Sequence, residues 1–160
     1  MKYAITGHTS GIGQTIYDRL SPNIVGFSRT NGYDISKADD RARIISEVAD
    51  CDVFINNADD GKGSQLLLFT ELFASWKDQS KKIINVGSQI SEVALAHNHQ
   101  LIEYKKHKVA LKLASMKSVG VCEVKYKWFG YVSTPKILAK YSNSNFTFIT
   151  VEQAADIILT

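Results

Sequence analysis

The sequence predicts an α/β domain built on a doubly wound parallel sheet of about five to six strands. Short apolar segments rich in Val, Ile and Phe alternate with longer segments whose apolar residues recur at helical spacing. A glycine-rich turn separates the first strand from the first helix, and such alternation forms right-handed crossovers with helices on both faces of the sheet. With 160 residues and 44% hydrophobic composition, residues 1–160 are expected to form one single compact domain.

Each predicted element follows from its apolar pattern and from the residues that end it. The strands are expected at residues 2–6, 24–28, 52–56, 82–86 and 119–129, and the helices at 11–20, 37–49, 64–77, 100–118 and 151–159. Pro22 ends the first helix, and Ser36 is expected to be the N-cap of the second. We expect a loop at 130–135 and a short β-like segment around Phe146 and Phe148.

The third predicted helix carries more apolar side chains than one buried face requires. They are Leu66, Leu67, Leu68, Phe69, Leu72, Phe73 and Trp76. We therefore expect part of this helix to contact another subunit.

Composition argues against several classes of protein. The net charge of +3 comes from lysines scattered among acidic residues, without the aromatic-interleaved basic stripe of single-strand binders, so nucleic acid is not an expected partner. Cys51 and Cys122 lack the number and spacing of a disulfide framework or a zinc site and are expected to be reduced core residues. No segment approaches the roughly 20 apolar residues of a membrane span, and we expect a cytoplasmic protein with no membrane partner.

The turn after the first strand has the features of a phosphate-binding loop. Its candidate cofactor-binding residues are Gly7, Thr9, Ser10, Gly11, Ile12 and Gly13. The glycines allow a tight turn, close approach of the backbone to a pyrophosphate, and close packing of helix on strand. Backbone N–H groups and the positive end of the helix dipole then face the phosphates.

The end of the second strand is expected to select the cofactor. Ser28, Arg29 and Thr30 supply a guanidinium and two hydroxyls that suit the 2′-phosphate of NADP. Asp34 lies at nearly the spacing expected of an acid that binds the ribose of NAD, but the turn at residues 31–32 is expected to end the strand first. NADP is therefore favoured, with NAD as the alternative.

Tyr104 and Lys108 stand four residues apart on a predicted helix, so both side chains project from one face. A phenol with a pKa near 10 must reach about 7 to exchange protons readily, which corresponds to about 4 kcal/mol. A unit charge about 4 Å away supplies about that much. Lys108 is thus expected to lower the pKa of Tyr104, whereas the alternative is a solvent-facing pair without function.

Four segments together resemble the short-chain dehydrogenase/reductase family, a family with the Rossmann fold. They are Thr6-Gly7-x-x-x-Gly11-Ile12-Gly13, Asn56-Asn57-Ala58, Ile84-Asn85-Val86-Gly87-Ser88 and Tyr104-x-x-x-Lys108-x-Ala110-Leu111. The resemblance runs from residue 2 to about residue 134. The chain is shorter than most family members and looks like a truncated, compact version of the kind that bacteriophages carry.

The resemblance implies a role for each matched residue. Tyr104 would be the general acid/base, Lys108 would hold the nicotinamide ribose and tune Tyr104, and Ser88 would bind the substrate carbonyl. The remaining implied cofactor contacts are Asp34 and Ile35 near the adenine, Asn56, Asn57 and Ala58 along the cofactor, and Val132 and Thr134 at the nicotinamide amide. It also suggests a homodimer or homotetramer assembled through the 64–77 and 100–118 helices.

Two of the positions at which the chain departs from the family pattern lie near the predicted site. Asp59 stands where the family usually has the glycine of Asn-Asn-Ala-Gly, and the helical Asn that anchors a water has Gln65 as its nearest polar candidate. The acidic pair Asp59 and Asp60 is expected to be a solvated loop rather than a metal site. His97 and His99 are expected to be exposed loop residues because their spacing does not suit a metal, so no metal site is expected.

Two functions follow from these observations. The first is an NADP-dependent oxidoreductase acting on a small carbonyl or alcohol substrate, in which Tyr104 transfers the proton and Ser88 polarises the carbonyl. The second is a non-catalytic NAD(P)-binding sensor or scaffold, against which the presence of Tyr104 argues.

Overall fold

The computed structural model describes residues 1–93, 99–141, 143 and 145–160. The strands are β1 (Tyr3–Thr6), β2 (Ile24–Phe27), β3 (Val53–Asn56), β4 (Lys82–Val86), β5 (Glu123–Lys127), β6 (Tyr131–Val132) and β7 (Phe148–Ile149). The helices are α1 (Gly11–Leu20), α2 (Ala38–Glu47), α3 (Ser64–Trp76), α4 (His99–Lys117), α5 (Pro135–Tyr141) and α6 (Val151–Leu159). No helix in these described ranges is long and apolar enough to cross a membrane.

The centre of the fold is a five-stranded sheet in the order β2-β1-β3-β4-β5. Every neighbouring pair is parallel, with Tyr3 opposite Ile24 on one side and Val53 on the other. The predicted doubly wound parallel sheet is therefore confirmed. A separate parallel pair joins β6 to β7.

Alternate residues of the central strands pack into two apolar layers. Ala4, Phe54 and Ile83 contribute to one layer, against α2, α3 and α4. Ile5 and Ile55 contribute to the other, against α1 and α6. Since successive side chains of a strand point to opposite faces, an unbroken apolar strand requires helices on both sides, which this fold supplies.

The third helix buries most of its large apolar set inside its own chain. Leu68, Phe69, Leu72 and Trp76 are buried, and Leu66 and Phe73 pack partly against the same core. Leu67 alone of the seven is strongly exposed, at 49%. The helix is dense in apolar residues because it contacts α2, α4 and the sheet together.

The predictions for the last third of the chain were partly wrong. The strand expected at 119–129 is only Glu123–Lys127, because Val119 and Val121 lie in solvent, 88% and 63% exposed. The loop expected at 130–135 instead contains β6 and the first residue of α5. A two-residue strand whose partner is far along the chain has no local periodicity by which it could be recognised.

The prediction that Ser36 is the N-cap of α2 is wrong. Lys37 takes the N-cap position, and the Ser36 hydroxyl donates to the Asp34 carboxylate at 2.7 Å. Asp39 and Asp40 lie in the first turn, where negative charge favours the helix. Cys51 and Cys122 are free and buried, as predicted.

Candidate active site

The site lies at the carboxyl ends of β1, β3 and β4. The chain passes from β1 to β2 on one side and returns to β3 on the other, so the connections diverge between β1 and β3. Open α/β sheets bind ligands at such a switch point. The polar segments that follow Thr6, Asn56 and Val86 all meet here.

The glycine turn between β1 and α1 needs glycine for space and for backbone conformation. Gly7 and Gly11 have positive φ angles of 74° and 53°. A Cβ on Gly13 would lie 2.0 Å from the Gly7 carbonyl oxygen, so no side chain fits there. Ser10 occupies the N-cap of α1 without a side-chain capping bond, and the first N–H groups of the helix have no intrahelical acceptor. The turn therefore presents donors to an anion at a close backbone approach.

Thr6 and Asn57 tie the glycine turn to the end of β3. The Thr6 hydroxyl accepts the backbone N–H groups of Asn57 and Ala58, each at 3.0 Å. The Asn57 side-chain amide donates to the Thr6 carbonyl at 3.0 Å. A Cβ on Gly7 would lie only 3.3 Å from Ala58, so there is little room for a side chain at position 7. Asn57 and Ala58 thus hold the shape of the turn.

Thr134 also reaches the glycine turn. Its Cγ2 would lie 3.3 Å from a Cβ on Gly11, and its hydroxyl accepts the Ile137 N–H at the start of α5. Val132 is buried beside it and packs against the apolar layer of α1 and α6. The segment carrying the implied nicotinamide contacts is therefore next to the turn.

The segment after β2 has an exposed arginine and an aspartate that is hydrogen-bonded within its own loop. Arg29 and Thr30 are exposed, while the Ser28 hydroxyl donates to Asn31 at 3.2 Å. Asp34 accepts the backbone N–H and the hydroxyl of Ser36, which lowers the pKa of its carboxyl. The Asp34 carboxylate is thus engaged within its own loop, and Ile35 is buried in the core.

Ser88, Tyr104 and Lys108 come together, and we call them the reactive cluster. Ser88 follows β4 and forms a hydrogen bond with Tyr104 of α4. The Lys108 Nζ lies 5.4 Å from the centroid of the Tyr104 ring. Lys108 is only 4% exposed, so it faces the sheet rather than solvent. The alternative of a solvent-facing Tyr and Lys pair is therefore wrong.

The Lys108 ammonium contacts three protein acceptors. Its Nζ donates to Gln65 Oε1 at 2.7 Å and to the Val86 carbonyl at 3.3 Å. It also forms an ion pair with Asp59 Oδ2 at 2.8 Å. Asp59 lies in an exposed loop, as predicted, but its carboxylate points inward: the side chain is only 18% exposed and pairs with Lys108.

Gln65 anchors this arrangement to the sheet. Its side-chain N–H groups donate to the Asn56 carbonyl at 2.7 Å and to the Val86 carbonyl at 2.9 Å. Its oxygen is then left facing Lys108, and the whole residue is only 3% exposed. Gln65, the nearest polar candidate for the helical Asn of the family, therefore contacts Lys108 of the reactive cluster directly.

Asn56 is fully buried and supports the site from inside the sheet. Its amide donates to the Gln65 carbonyl at 3.0 Å and to Asn85 Oδ1 at 2.8 Å. Asn85 in turn donates to the Ser115 hydroxyl of α4 at 2.9 Å. Sequence reasoning gave no role to Asn85 or Ser115, although an Asn inside a strand of Ile and Val was a signal that polar partners had to be buried with it.

The predicted lowering of the Tyr104 pKa is wrong. Burial of the ring, and after it the negative charge of Asp59, raise the pKa of Tyr104 to about 12, against the opposing effect of the Ser88 hydrogen bond. The ion pair with Asp59 explains why Lys108 does not act as an isolated positive charge. In this structure Tyr104 is a phenol at neutral pH.

The histidines and acids of the described chain form no metal centre. No group of three or more His, Cys, Asp or Glu among the described residues is placed to hold a metal ion. Asp60 instead accepts the Ser64 hydroxyl at 2.5 Å at the start of α3. His99 begins α4 rather than lying in a loop, and His97 lies outside the described residues.

Comparison with solved structures supports the fold. A short-chain dehydrogenase from Burkholderia cenocepacia J2315 in complex with NADP is 19% identical, with a TM-score of 0.76 over 99% of this chain and 84% of that one. A small-chain dehydrogenase in complex with NADPH is 17% identical, with a TM-score of 0.77 over 99% of this chain and 89% of that one. An oxidoreductase from Haemophilus influenza with bound NAD is 14% identical, with a TM-score of 0.74 over 98% and 86%.

Sequence comparison adds no closer relative. Neither a protein-family model nor a curated protein matches the chain. At these identities the structural likeness establishes the fold, and the activity has to be argued from the site itself. The chain thus has the architecture of the short-chain dehydrogenases to which it is similar.

Proposed function

We propose that this chain is an NADP(H)-dependent oxidoreductase of the short-chain dehydrogenase type, which reduces a small carbonyl compound or oxidises the corresponding alcohol. The observation that carries the proposal is that Ser88, Tyr104 and Lys108 come together at the edge of the sheet where the glycine turn also lies. These residues come from two separate segments of the chain. Cofactor binding alone does not require a hydroxyl hydrogen-bonded to a buried phenol.

The residues of the glycine turn fit a dinucleotide. Gly13 has no room for a side chain, Gly11 faces only Thr134, and the N-terminus of α1 offers unpaired N–H groups. Arg29 is exposed at the end of β2, where it suits a 2′-phosphate. Asp34 is engaged by Ser36, which argues against its binding a ribose diol. Structural neighbours bound to NADP and NADPH support the same choice, while one bound to NAD keeps the alternative open.

The reactive cluster is suited to donating a proton. NADPH, when bound, supplies the hydride that reduces the carbonyl carbon. The Ser88 hydroxyl and the Tyr104 phenol polarise the carbonyl oxygen, and Tyr104 then gives its proton to that oxygen to form the alcohol. With a pKa of about 12, Tyr104 carries this proton at neutral pH.

Assembly into a homodimer or homotetramer through α3 and α4 stays a prediction. Leu67 on α3, and Leu113 and Met116 on α4, are 49%, 47% and 70% exposed in the single chain. Exposed apolar side chains on both helices support a contact with another copy. Light scattering of the purified chain distinguishes a monomer from these assemblies.

The function is tested with cofactor and with the Tyr104→Phe variant. We expect NADPH to raise the melting temperature of both proteins, since the phenol oxygen is not needed for binding. Against a panel of aldehydes, ketones and sugars, Tyr104→Phe should lower NADPH oxidation at least about 100-fold. Tyr3→Phe, at the opposite end of β1, is the matched control and should keep the wild-type rate.

The outcomes separate the two candidate functions. If NADPH stabilises the chain but Tyr104→Phe turns over as fast as wild type, the reductase is excluded and a binding-only sensor or scaffold takes its place. If neither NADPH nor NADH changes the melting temperature, both functions are wrong.

A further inference from the structure

The Asp59–Lys108 ion pair leaves the lysine no donor for a ligand. An ammonium has three N–H donors, and here they face Asp59, Gln65 and the Val86 carbonyl. A ribose hydroxyl can accept a hydrogen bond from Lys108 only if one of these three acceptors withdraws. The proposed function therefore requires one of these three contacts of Lys108 to change when a dinucleotide binds.

Asp59 is the acceptor best placed to withdraw. Gln65 is 3% exposed and is held by two backbone carbonyls, and Val86 contributes a carbonyl that belongs to the sheet. Asp59 lies in the segment between β3 and α3, and its other carboxylate oxygen accepts the Gly61 N–H at 2.9 Å. That bond involves only the loop and does not require Lys108.

We infer that Asp59 competes with the nicotinamide ribose for Lys108, so that dinucleotide binding must break the Asp59–Lys108 ion pair. The inference rests on the proposed function, because it takes Lys108 to be the ribose ligand. Breaking this ion pair leaves the Asp59 carboxylate without its positive partner, and that cost opposes cofactor binding. Asp59 is thus a positioning residue that sets cofactor affinity.

A second consequence concerns the proton on Tyr104. The groups that face this phenol come from three elements: Asp59 from the β3–α3 segment, Ser88 from the segment after β4, and Lys108 from α4 itself. While Asp59 pairs with Lys108, its negative charge offsets that of the ammonium and disfavours the phenolate. Removing the Asp59 charge should therefore allow Tyr104 to ionise at lower pH.

The binding test uses Asp59→Asn, which keeps the size and the acceptor of Asp59 but removes its charge. We expect the Kd for NADPH, measured by nucleotide fluorescence, to fall about tenfold. Adenosine 2′,5′-bisphosphate, which lacks the nicotinamide ribose, should bind both proteins equally. Asp60→Asn removes a neighbouring charge that does not contact Lys108, and it should leave the NADPH Kd within about twofold of wild type.

The inference is overturned if Asp59→Asn binds NADPH no more tightly than wild type. It is also overturned if adenosine 2′,5′-bisphosphate or Asp60→Asn shows the same gain, since the effect would then be one of net charge.

Tyrosine ionisation tests the same contact without any nucleotide. Absorbance at about 295 nm, with the Tyr104→Phe signal subtracted, should show Tyr104 ionising at lower pH in Asp59→Asn than in wild type. Identical titrations would contradict the inference whether or not NADPH binds. A shifted titration in a chain that binds no nucleotide would instead leave the Asp59 contact standing and remove the proposed function.

Discussion

The glycine turn and the reactive cluster lie at the same edge of the sheet but are built in different ways. The turn is made of glycines, backbone groups and two short polar side chains, and its shape depends on space. The cluster joins charged and polar side chains from separate segments, and its chemistry depends on a balance of charge. The difference predicts that an added side chain will disrupt the turn, whereas a change of charge or pH will alter the chemistry of the cluster.

The largest effect is expected from Gly13→Val in the turn. The new side chain would begin 2.0 Å from the Gly7 carbonyl oxygen, so α1 has to move away from β1. We expect the free energy of unfolding, measured with urea, to fall by about 3 kcal/mol. The control is Gly61→Ala, where φ is 70° but nothing lies within 4 Å of a Cβ, and its cost should be only about 1 kcal/mol. Equal losses in the two variants would show that space does not govern the turn.

The next effect is a pH dependence that belongs to the cluster. Between the pKa of an unfolded tyrosine, 10.0, and that of folded Tyr104, about 12, the folded chain keeps a proton that the unfolded chain has lost. The stability from this group is complete below pH 10 and is lost as the pH rises towards 12. Wild type should thus lose up to roughly 2 kcal/mol more than Tyr104→Phe across this window, allowing for partial exposure. Urea unfolding at pH 9 and at pH 11.5 measures it, and parallel losses in both proteins would exclude the raised pKa.

The smallest effect is expected at Arg29, beside the turn but outside the packed region. Arg29→Ala should raise the Kd for NADPH about tenfold and leave that for NADH unchanged, because only NADPH carries a phosphate for the guanidinium. Unfolding should change by less than about 0.5 kcal/mol, since the side chain is exposed. Arg43→Ala, an exposed arginine of α2 bound to Asp40, is the charge control. A matching loss for NADH would indicate that Arg29 does not select the cofactor.

The sequence predicted the central sheet and the glycine turn well because both have local signals. Strands β3 and β4 are short segments rich in Val, Ile and Phe, and α1 and α6 begin and end within a residue of their expected bounds. Such patterns reflect burial, which repeats with the period of the element itself. The β-like segment expected around Phe146 and Phe148 contains β7, but its partner β6 was missed, because a two-residue strand leaves no such period in the sequence.

The three residues of the reactive cluster could be chosen from the sequence, but their electrostatic environment could not. The spacing of Tyr104 and Lys108 places both on one helix face, and the position of Ser88 after a strand places it at the same edge of the sheet. Nothing in that spacing indicates that Asp59 pairs with Lys108 or that Gln65 is held by two strand ends. The predicted direction of the Tyr104 pKa was wrong for this reason.

By itself, the order of residues determined which segments form the central sheet and the helices packed on it, where the chain must be glycine, and which hydroxyl, phenol and amine meet at the sheet edge. The tertiary structure alone decided that the Lys108 ammonium forms an ion pair with Asp59 and that burial raises the pKa of the Tyr104 phenol. Periodicity is a property of neighbouring residues. A charge interaction depends instead on distance and burial between groups far apart in the chain, and only folding sets these.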